Sequence, residues 1–266
     1  MPQLPTLSPN EYALVYNMLS LAIAAMLASF VFFVQSRGQL HPRYRPAMIL
    51  SSLVVAIAGY HYLRIFNSWD DAYHLVGAMY EPTGTPFNDA YRYVDWLLTV
   101  PLLVAELIAV LALAAAVRGK MMGRLVVAAV LMIGLGYPGE VSASSESRVF
   151  WAVLSTIPFV YILYVLWIEL TRAAANESAK VRERLTQTRL LLLATWGFYP
   201  IAYAVPLLGL SGGSTTVGLQ VGYSIADILA KCAYGFLIYS IARAKMDAAG
   251  ESIHGDLVPS TAARVS

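Results

Sequence analysis

Seven long apolar segments dominate this chain of 266 residues. A helix needs about 20 consecutive apolar residues to cross a bilayer, and each segment is near or above that length. The segments are 12–35, 46–67, 91–117, 122–140, 148–171, 187–208 and 217–243. Because lipid offers the backbone no hydrogen-bond partners, such segments must be helical. The pattern predicts an all-α membrane protein, a bundle of seven transmembrane helices.

The composition agrees with a membrane protein. Hydrophobic residues make up 58% of the chain and charged residues 13%, about half the charged share of soluble domains. Short connections predict a single domain over 1–266, with a short N-terminal segment (1–10) and a tail (about 246–266). The one cysteine, Cys232, excludes an internal disulfide. We expect a multi-pass protein of the cell membrane, surrounded by lipid, with no metal site and no nucleic-acid partner.

Basic residues distinguish the two sides of the membrane. Lysines and arginines follow the first, third, fifth and seventh segments, whereas the alternate connections carry only Arg64 and Arg148. The positive-inside rule then predicts an outer N-terminus and a cytoplasmic C-terminus. The longest outer connection, 68–90, is rich in acidic residues, proline and glycine and is compatible with a short hairpin. The charged stretch 172–186 is expected to extend two helices into solvent.

Lys231 is the only lysine well inside an apolar segment. An ammonium group at the bilayer centre costs about 2.5–3.5 kcal/mol on insertion scales, so such groups are paired or chemically converted. Asp227 lies four residues earlier, on the same helical face. The pair predicts a buried reactive amine with its own counter-charge, of the kind that forms Schiff bases.

Two further carboxylates lie in the third segment. Steps of four and eleven residues rotate a helix by about 40° and 20°, so Asp95, Thr99 and Glu106 share one face, with the carboxylates about 16 Å apart along the axis. Glu106 has apolar neighbours, which favours its neutral form, whereas Arg92 and Lys231 favour an ionised Asp95. The stripe predicts a proton relay with Asp95 as acceptor and Glu106 as donor. The alternative is that both carboxylates pair with basic groups for packing alone.

His61 and a set of aromatic residues complete the candidate site. His61 is either a packing residue or a hydrogen-bond partner of Asp95 that adjusts its proton affinity. A flat apolar cavity, or ordinary core packing, would use Trp96, Trp196, Tyr199, Pro200 and Tyr203. The proline also predicts a kink in the sixth helix.

Together these residues resemble the microbial (type 1) rhodopsins, in particular the proteorhodopsin- and xanthorhodopsin-like proton pumps. The resemblance rests on the Asp-x-x-x-Lys pair at 227–231, on Arg-Tyr-Val-Asp-Trp-Leu-Leu-Thr-Val-Pro-Leu-Leu at 92–103 and on His-Tyr-Leu-Arg-Ile-Phe-Asn-Ser-Trp at 61–69. It implies all-trans retinal bound to Lys231 as a Schiff base, in a pocket that includes the aromatic set and Leu103, the colour-tuning position.

The resemblance also implies a role for each polar residue. Asp95 is the counter-ion and proton acceptor, Glu106 the cytoplasmic proton donor and Asp227 the second counter-ion. Arg92 lies on the release path, and Thr99 completes the pattern of outward proton pumps.

Three positions qualify the resemblance. The connection 208–217 contains no glutamate, so the paired-glutamate release group of bacteriorhodopsin is missing. Ala152 stands where xanthorhodopsin has the glycine of its carotenoid window, so binding of a carotenoid antenna stays open. Glu140 matches the proteorhodopsins, where a pocket or subunit contact and simple packing are equally good explanations.

The leading hypothesis is therefore a light-driven outward proton pump, a transporter rather than an enzyme. A photosensor that signals to a partner protein is the first alternative. A seven-helix carrier whose Lys231 binds a carboxylate substrate is the second. Relatives assemble as pentamers or trimers, so we also expect a homo-oligomer.

Overall fold

A computed structural model describes residues 4–111, 115–175 and 177–254 of the chain. Its secondary structure there is almost entirely helical. The helices are α1 (Pro9–Ser36), α2 (Arg45–Ala72), α3 (Tyr91–Leu111), α4 (Ala115–Glu140), α5 (Ser145–Ala175), α6 (Ala179–Ala204), α7 (Gly213–Asp227) and α8 (Tyr234–Ala249). Within these residues, seven helical spans are long and apolar enough to cross a membrane, with α7 and α8 belonging to one span. The predicted seven-helix fold is confirmed.

Some helices extend beyond the apolar segments, and α1 shows how a polar helix end is stabilised. At the start of α1, the Ser8 hydroxyl accepts a hydrogen bond from the Glu11 amide, and the Glu11 carboxylate accepts one from the Ser8 amide. This capping box satisfies two backbone donors that the helix leaves free. The charged stretch 172–186 extends α5 and α6, as predicted.

The third segment was expected to run over 91–117, and its predicted end lies close to residues that the structure does not describe. Helix α3 is described as far as Leu111 and α4 from Ala115. Residues 112–114 lie outside the described residues, as do 255–266 of the predicted tail.

The seventh span, Gly213–Ala249, changes its helical pitch in the middle. Between α7 and α8, residues Ile228–Ala233 form a π-helical turn. Such turns insert an extra residue into a helix and are frequent at functional sites. This one carries Lys231.

A small β-hairpin covers one end of the bundle. Its strands are β1 (Tyr73–Val76) and β2 (Met79–Pro82), and Gly77 takes a left-handed φ of 61° in the turn. Leu7 pairs with Tyr80 through two backbone hydrogen bonds of 2.9 and 2.8 Å. The structure thus confirms the expected hairpin in 68–90. We call this end of the bundle the hairpin end.

The spans form a ring in which neighbours in sequence are neighbours in space, and α1 closes it against α7. A core of buried apolar side chains fills the ring. Large apolar side chains also point outward, among them Ile157 on α5 and Ile201 on α6. Apolar surface on both sides of a helix fits a bundle that is surrounded by lipid.

Candidate functional site

The Lys231 side chain is buried between two carboxylates. Its Nζ lies 2.8 Å from Oδ1 of Asp227 and 2.9 Å from Oδ2 of Asp95. All three side chains are at most 4% exposed. A buried cation needs such pairing to be stable in the low dielectric of a membrane protein. The structure therefore brings together the amine and both predicted counter-ions.

Asp227 is held by phenolic hydroxyl groups. Tyr199 Oη donates a hydrogen bond to Oδ1 at 2.5 Å, and Tyr62 Oη donates one to Oδ2 at 2.8 Å. The Arg92 guanidinium lies 3.8 Å from the same Oδ2. Donors of this kind stabilise the ionised form of a carboxylate.

Asp95 has fewer partners. Its Oδ1 is buried without a hydrogen bond from any described residue and lies 3.8 Å from His61 Nδ1. Of the two alternatives for His61, the structure shows no hydrogen bond to Asp95, and His61 Nδ1 lies 3.0 Å from the carbonyl oxygen of Ile57. Thr99 also bonds elsewhere, since its hydroxyl donates to the backbone carbonyl of Asp95 at 2.9 Å.

Arg92 forms its hydrogen bonds and ion pairs with residues other than Asp95. Its guanidinium contacts Asp89 Oδ1 and Gln220 Oε1 at 2.6 Å each, and Tyr62 Oη at 3.1 Å. Within the described residues its ion pairs are with Asp89 and Asp227, and none is with Asp95. Arg92 was expected to be a positive neighbour of Asp95. In the structure, the cation that pairs with Asp95 is Lys231.

Glu106 is fully buried and has no cationic partner among the described residues. Ser51 Oγ lies 2.6 Å from Glu106 Oε2 and 3.2 Å from the carbonyl oxygen of Ala47. A serine hydroxyl has one proton to donate, and a carbonyl oxygen can only accept. Both contacts become hydrogen bonds when Ser51 donates to Ala47 and a protonated Glu106 donates to Ser51.

An apolar cavity of about 220 Å³ reaches the Lys231 amine. The predicted pocket residues all line it, namely Trp96, Leu103, Ala152, Trp196, Tyr199, Pro200 and Tyr203. Additional lining residues come from α3, α4, α5 and α7, among them Tyr93, Met132, Phe159 and Tyr223. Trp96 and Tyr199 meet edge to face, with ring centroids 5.0 Å apart. The cavity suits an apolar molecule bound next to Lys231.

Tyr203 and Glu140 meet a common partner beside this cavity. Tyr203 Oη donates to the carbonyl oxygen of Arg148 at 3.0 Å. The Arg148 guanidinium donates to the carbonyl oxygen of Glu140 at 2.7 Å, and a carboxylate oxygen of Glu140 lies 3.7 Å away. Glu140 therefore takes part in an ion pair within the chain.

Sequence reasoning missed four polar residues that contact the site. They are Ser51, Tyr62, Asp89 and Gln220. A polar residue within an apolar segment is the signal that could have found three of them, and Gln220 is the only glutamine in the seventh segment. Asp89 precedes α3 in a connection with other acidic residues, where nothing in the sequence distinguishes it.

Residues 14–245 match the family model described as bacteriorhodopsin-like protein. The chain belongs to the bacteriorhodopsin-like family. It is 31% identical over 223 residues to the green-light absorbing proteorhodopsin of Gamma-proteobacterium EBAC31A08, which covers 84% of each chain. The predicted resemblance to microbial rhodopsins is confirmed, and with it a multi-pass protein of the cell membrane.

Solved structures of this family are similar over nearly the whole chain. Thermophilic rhodopsin is 57% identical with a TM-score of 0.88 and covers 91% of this chain and 97% of its own. Xanthorhodopsin, a light-driven ion pump with dual chromophore, is 55% identical with a TM-score of 0.89 and covers 93% and 99%. The chain is thus similar to xanthorhodopsin-like as well as to proteorhodopsin-like members of its family.

Proposed function

We propose that this protein is a light-driven proton pump that carries retinal on Lys231 and moves protons out of the cell. The observation that carries the proposal is the position of the Lys231 amine. Lys231 lies between two carboxylates and lines an apolar cavity. Glu106 is buried in the same bundle and has no ion pair with any described residue.

The lining of the cavity fits retinal. Its walls are mostly aromatic and aliphatic, and the Lys231 side chain is the amine among them. Retinal bound there would supply light absorption and an isomerisation that changes the proton affinity of the attached nitrogen. Trp96, Trp196 and Tyr199 would confine the chain of the ligand, since flat rings leave a flat space between them.

Asp95 is the better proton acceptor of the two carboxylates. Asp227 accepts hydrogen bonds from Tyr62 and Tyr199, which stabilise its negative charge. Asp95 Oδ1 has no such bond, so Asp95 gains more from taking a proton. A proton that leaves the Lys231 nitrogen therefore passes to Asp95 Oδ2, at 2.9 Å.

Glu106 is the donor that returns a proton to the nitrogen. When Glu106 is protonated, its contact with Ser51 and the contact of Ser51 with the Ala47 carbonyl are both hydrogen bonds, and burial in an apolar environment disfavours the charged form. A carboxylic acid kept neutral in this way holds a proton until a stronger base forms nearby. A photosensor has no need for a donor of this kind.

The direction follows from the charges at the two ends. The arginine-rich connections lie opposite the hairpin end, and the positive-inside rule supports a cytoplasmic location for them. Asp95 is then nearer the outside than Glu106, so uptake from the cytoplasm and release outside give outward transport. We also propose that copies of the chain associate as a homo-oligomer in the membrane.

The test is illumination of cells that express the protein with retinal. We expect the medium to acidify in light, and a protonophore to abolish the effect. Asp95→Asn should keep the pigment but lose the acidification, whereas Asp71→Asn, which removes an exposed acid, should pump normally. A coloured pigment without any light-dependent pH change would contradict the pump.

Glu106→Gln distinguishes a pump from a sensor. In a pump this change removes the proton donor, so reprotonation of the Lys231 nitrogen after a flash should slow by about 10²–10⁴-fold, the usual contribution of a general acid. An unchanged photocycle would favour the photosensor. Failure of retinal to bind Lys231, read by borohydride trapping, would favour a carrier.

A further inference from the structure

Arg92 is a buried cation whose position depends on two residues at the hairpin end. Its side chain is 2% exposed. Its Nε donates to Asp89 Oδ1 and its Nη2 to Gln220 Oε1, both at 2.6 Å. Gln220 Nε2 in turn donates to Asp89 Oδ2 at 3.2 Å. The three side chains form a closed set of hydrogen bonds, which we call the Arg92 clamp.

The clamp is anchored to the backbone at both ends. Asp89 lies just before α3, where the Asn88 amide donates to Ser68 Oγ on α2 at 2.8 Å and the Arg92 amide donates to the Asp89 carbonyl at 3.0 Å. Gln220 is buried on α7. These anchors come from three helices, so the clamp has a defined place relative to the bundle.

We propose that Asp89 and Gln220 hold the Arg92 guanidinium toward the hairpin end, and that this hold sets the proton affinity of Asp95. The inference rests on the proposed function, in which Asp95 is the proton acceptor. Asp89 and Gln220 are positioning residues, because they act on Asp95 through Arg92.

The physical reason is the distance between charges. Arg92 Nη1 already lies 3.8 Å from Asp227 Oδ2. Without Asp89, the buried guanidinium would lack its strongest partner, and Asp227 is the nearest remaining carboxylate. A shift in that direction brings positive charge closer to Asp95, and positive charge favours the ionised form. The clamp therefore keeps Asp95 able to accept a proton.

The groups that face these two residues come from several elements. Arg92 is faced by Asp89, by Tyr62 of α2, and by Gln220, Tyr223 and Asp227 of α7. Asp95 is faced by His61 of α2, by Lys231 and by Asp227. Within this set, Asp89 is the carboxylate that contacts Arg92 and is partly open to solvent, with a side chain 37% exposed.

The experiment is a titration of pigment colour in the dark. Protonation of Asp95 removes the negative charge beside the Lys231 nitrogen and shifts the absorption band, so the midpoint of the colour change reports on Asp95. We expect Asp89→Asn to lower this midpoint by roughly 1 pH unit or more. Gln220→Leu removes an uncharged hydrogen-bond partner of Arg92 and should lower the midpoint by a smaller amount.

Two control variants distinguish an effect of the Arg92 clamp from the effect of removing any negative charge at this end of the bundle. Asp89→Glu keeps the carboxylate and should titrate close to wild type. Glu81→Gln removes an exposed acid of β2 that does not contact Arg92 and should leave the midpoint unchanged. Melting of the retinal-free proteins shows whether each variant is folded.

The decisive comparison uses the background Arg92→Gln. If Asp89 acts through Arg92, adding Asp89→Asn there moves the midpoint by less than about 0.3 unit, because coupled residues are not additive. An equal shift in both backgrounds would mean that Asp89 acts on Asp95 directly, and would overturn the clamp. So would a wild-type midpoint in the folded Asp89→Asn single variant.

The result is separable from that of the pump test. A pigment that titrates as expected but fails to acidify the medium contradicts the pump and leaves the clamp supported. A chain that forms no pigment overturns the proposed function and the role of the clamp together.

Discussion

At the residue scale, Asp95 and Asp227 differ in their hydrogen bonds and not in their burial. Both lie within 3 Å of the Lys231 amine. Two tyrosine hydroxyl groups donate to Asp227, while one oxygen of Asp95 accepts none from the described residues. Equal burial with unequal donors is enough to give two neighbouring carboxylates different proton affinities.

Ser51→Ala tests the environment of Glu106. The ionised form of Glu106 would lose the Ser51 hydroxyl, the side-chain donor that contacts it among the described residues, and a hydrogen bond to a charged group contributes about 1.5–3 kcal/mol. We therefore expect proton return to the Lys231 nitrogen to slow by roughly tenfold or more, measured by flash photolysis.

The neighbouring Ser52→Ala is the matched control for this change. The Ser52 hydroxyl donates to the carbonyl oxygen of Ile49 at 2.7 Å and does not contact Glu106. Its photocycle should match that of wild type. Equal rates in all three proteins would contradict the role given to Ser51.

Ala152→Gly tests whether a second chromophore can reach the cavity. Ala152 lines the cavity from α5 and is partly exposed, so loss of its methyl group would widen an opening toward lipid. We expect more energy transfer from an added carotenoid, seen as carotenoid bands in the excitation spectrum of the pigment. Val153→Ala, at an exposed neighbour outside the cavity lining, should change nothing.

At the element scale, the π-helical turn decides how the seventh span presents its side chains. The turn covers Ile228–Ala233 between two α-helical parts. A π-helical turn contains more residues than an α-helical turn, so it rotates the side chains of α8 relative to those of α7. Gln220 and Asp227 on α7 and Lys231 in the turn are all buried.

Close packing of α8 against α1 gives a stability test. A Cβ atom at Gly235 would collide with the ring of Phe33, which is fully buried and has little room to move. Gly235→Ala should therefore destabilise the bundle by about 1–3 kcal/mol. The measurement is the temperature at which the purified pigment loses its colour.

Gly218→Ala provides the comparison within the same span. No heavy atom lies within 4 Å of a Cβ built at Gly218, and alanine favours the helix over glycine by about 1 kcal/mol. This variant should be as stable as wild type or more stable. A similar loss in both variants would point to a general intolerance of the span and not to the contact with Phe33.

At the scale of the whole molecule, the two ends of the bundle differ in charge and in covering. The hairpin end is closed by β1, β2 and the segment around Leu7. At the opposite end, ion pairs join the tail of α8 to other elements, as between Lys245 and Glu177 or Arg43 and Glu251. This asymmetry lets the orientation be tested directly.

Labelling of single cysteines tests the orientation, because the only native cysteine, Cys232, is buried. Ala78→Cys lies in the exposed hairpin turn and Lys180→Cys at the exposed start of α6. In intact cells, an impermeant maleimide should label the first variant, and it should label the second only after lysis. The reverse pattern would contradict the outward direction of transport.

The sequence alone determined the seven spans, the hairpin and the buried amine with its carboxylates. The length of an apolar run and the presence of a charged residue within it are local features, so each can be found by inspecting one segment of the sequence. The same holds for Asp227 and Lys231, which are one helical turn apart.

Only the tertiary structure decided which partners each polar group has. Arg92 is three residues from both Asp89 and Asp95 in sequence, yet it forms an ion pair with Asp89 and none with Asp95. Arg92 also donates a hydrogen bond to Gln220, which is 128 residues away along the chain. Hydrogen bonds between helices depend on how each helix is rotated about its axis and how deep it lies in the bundle. Packing against the other helices sets both, so the sequence of one segment does not determine them.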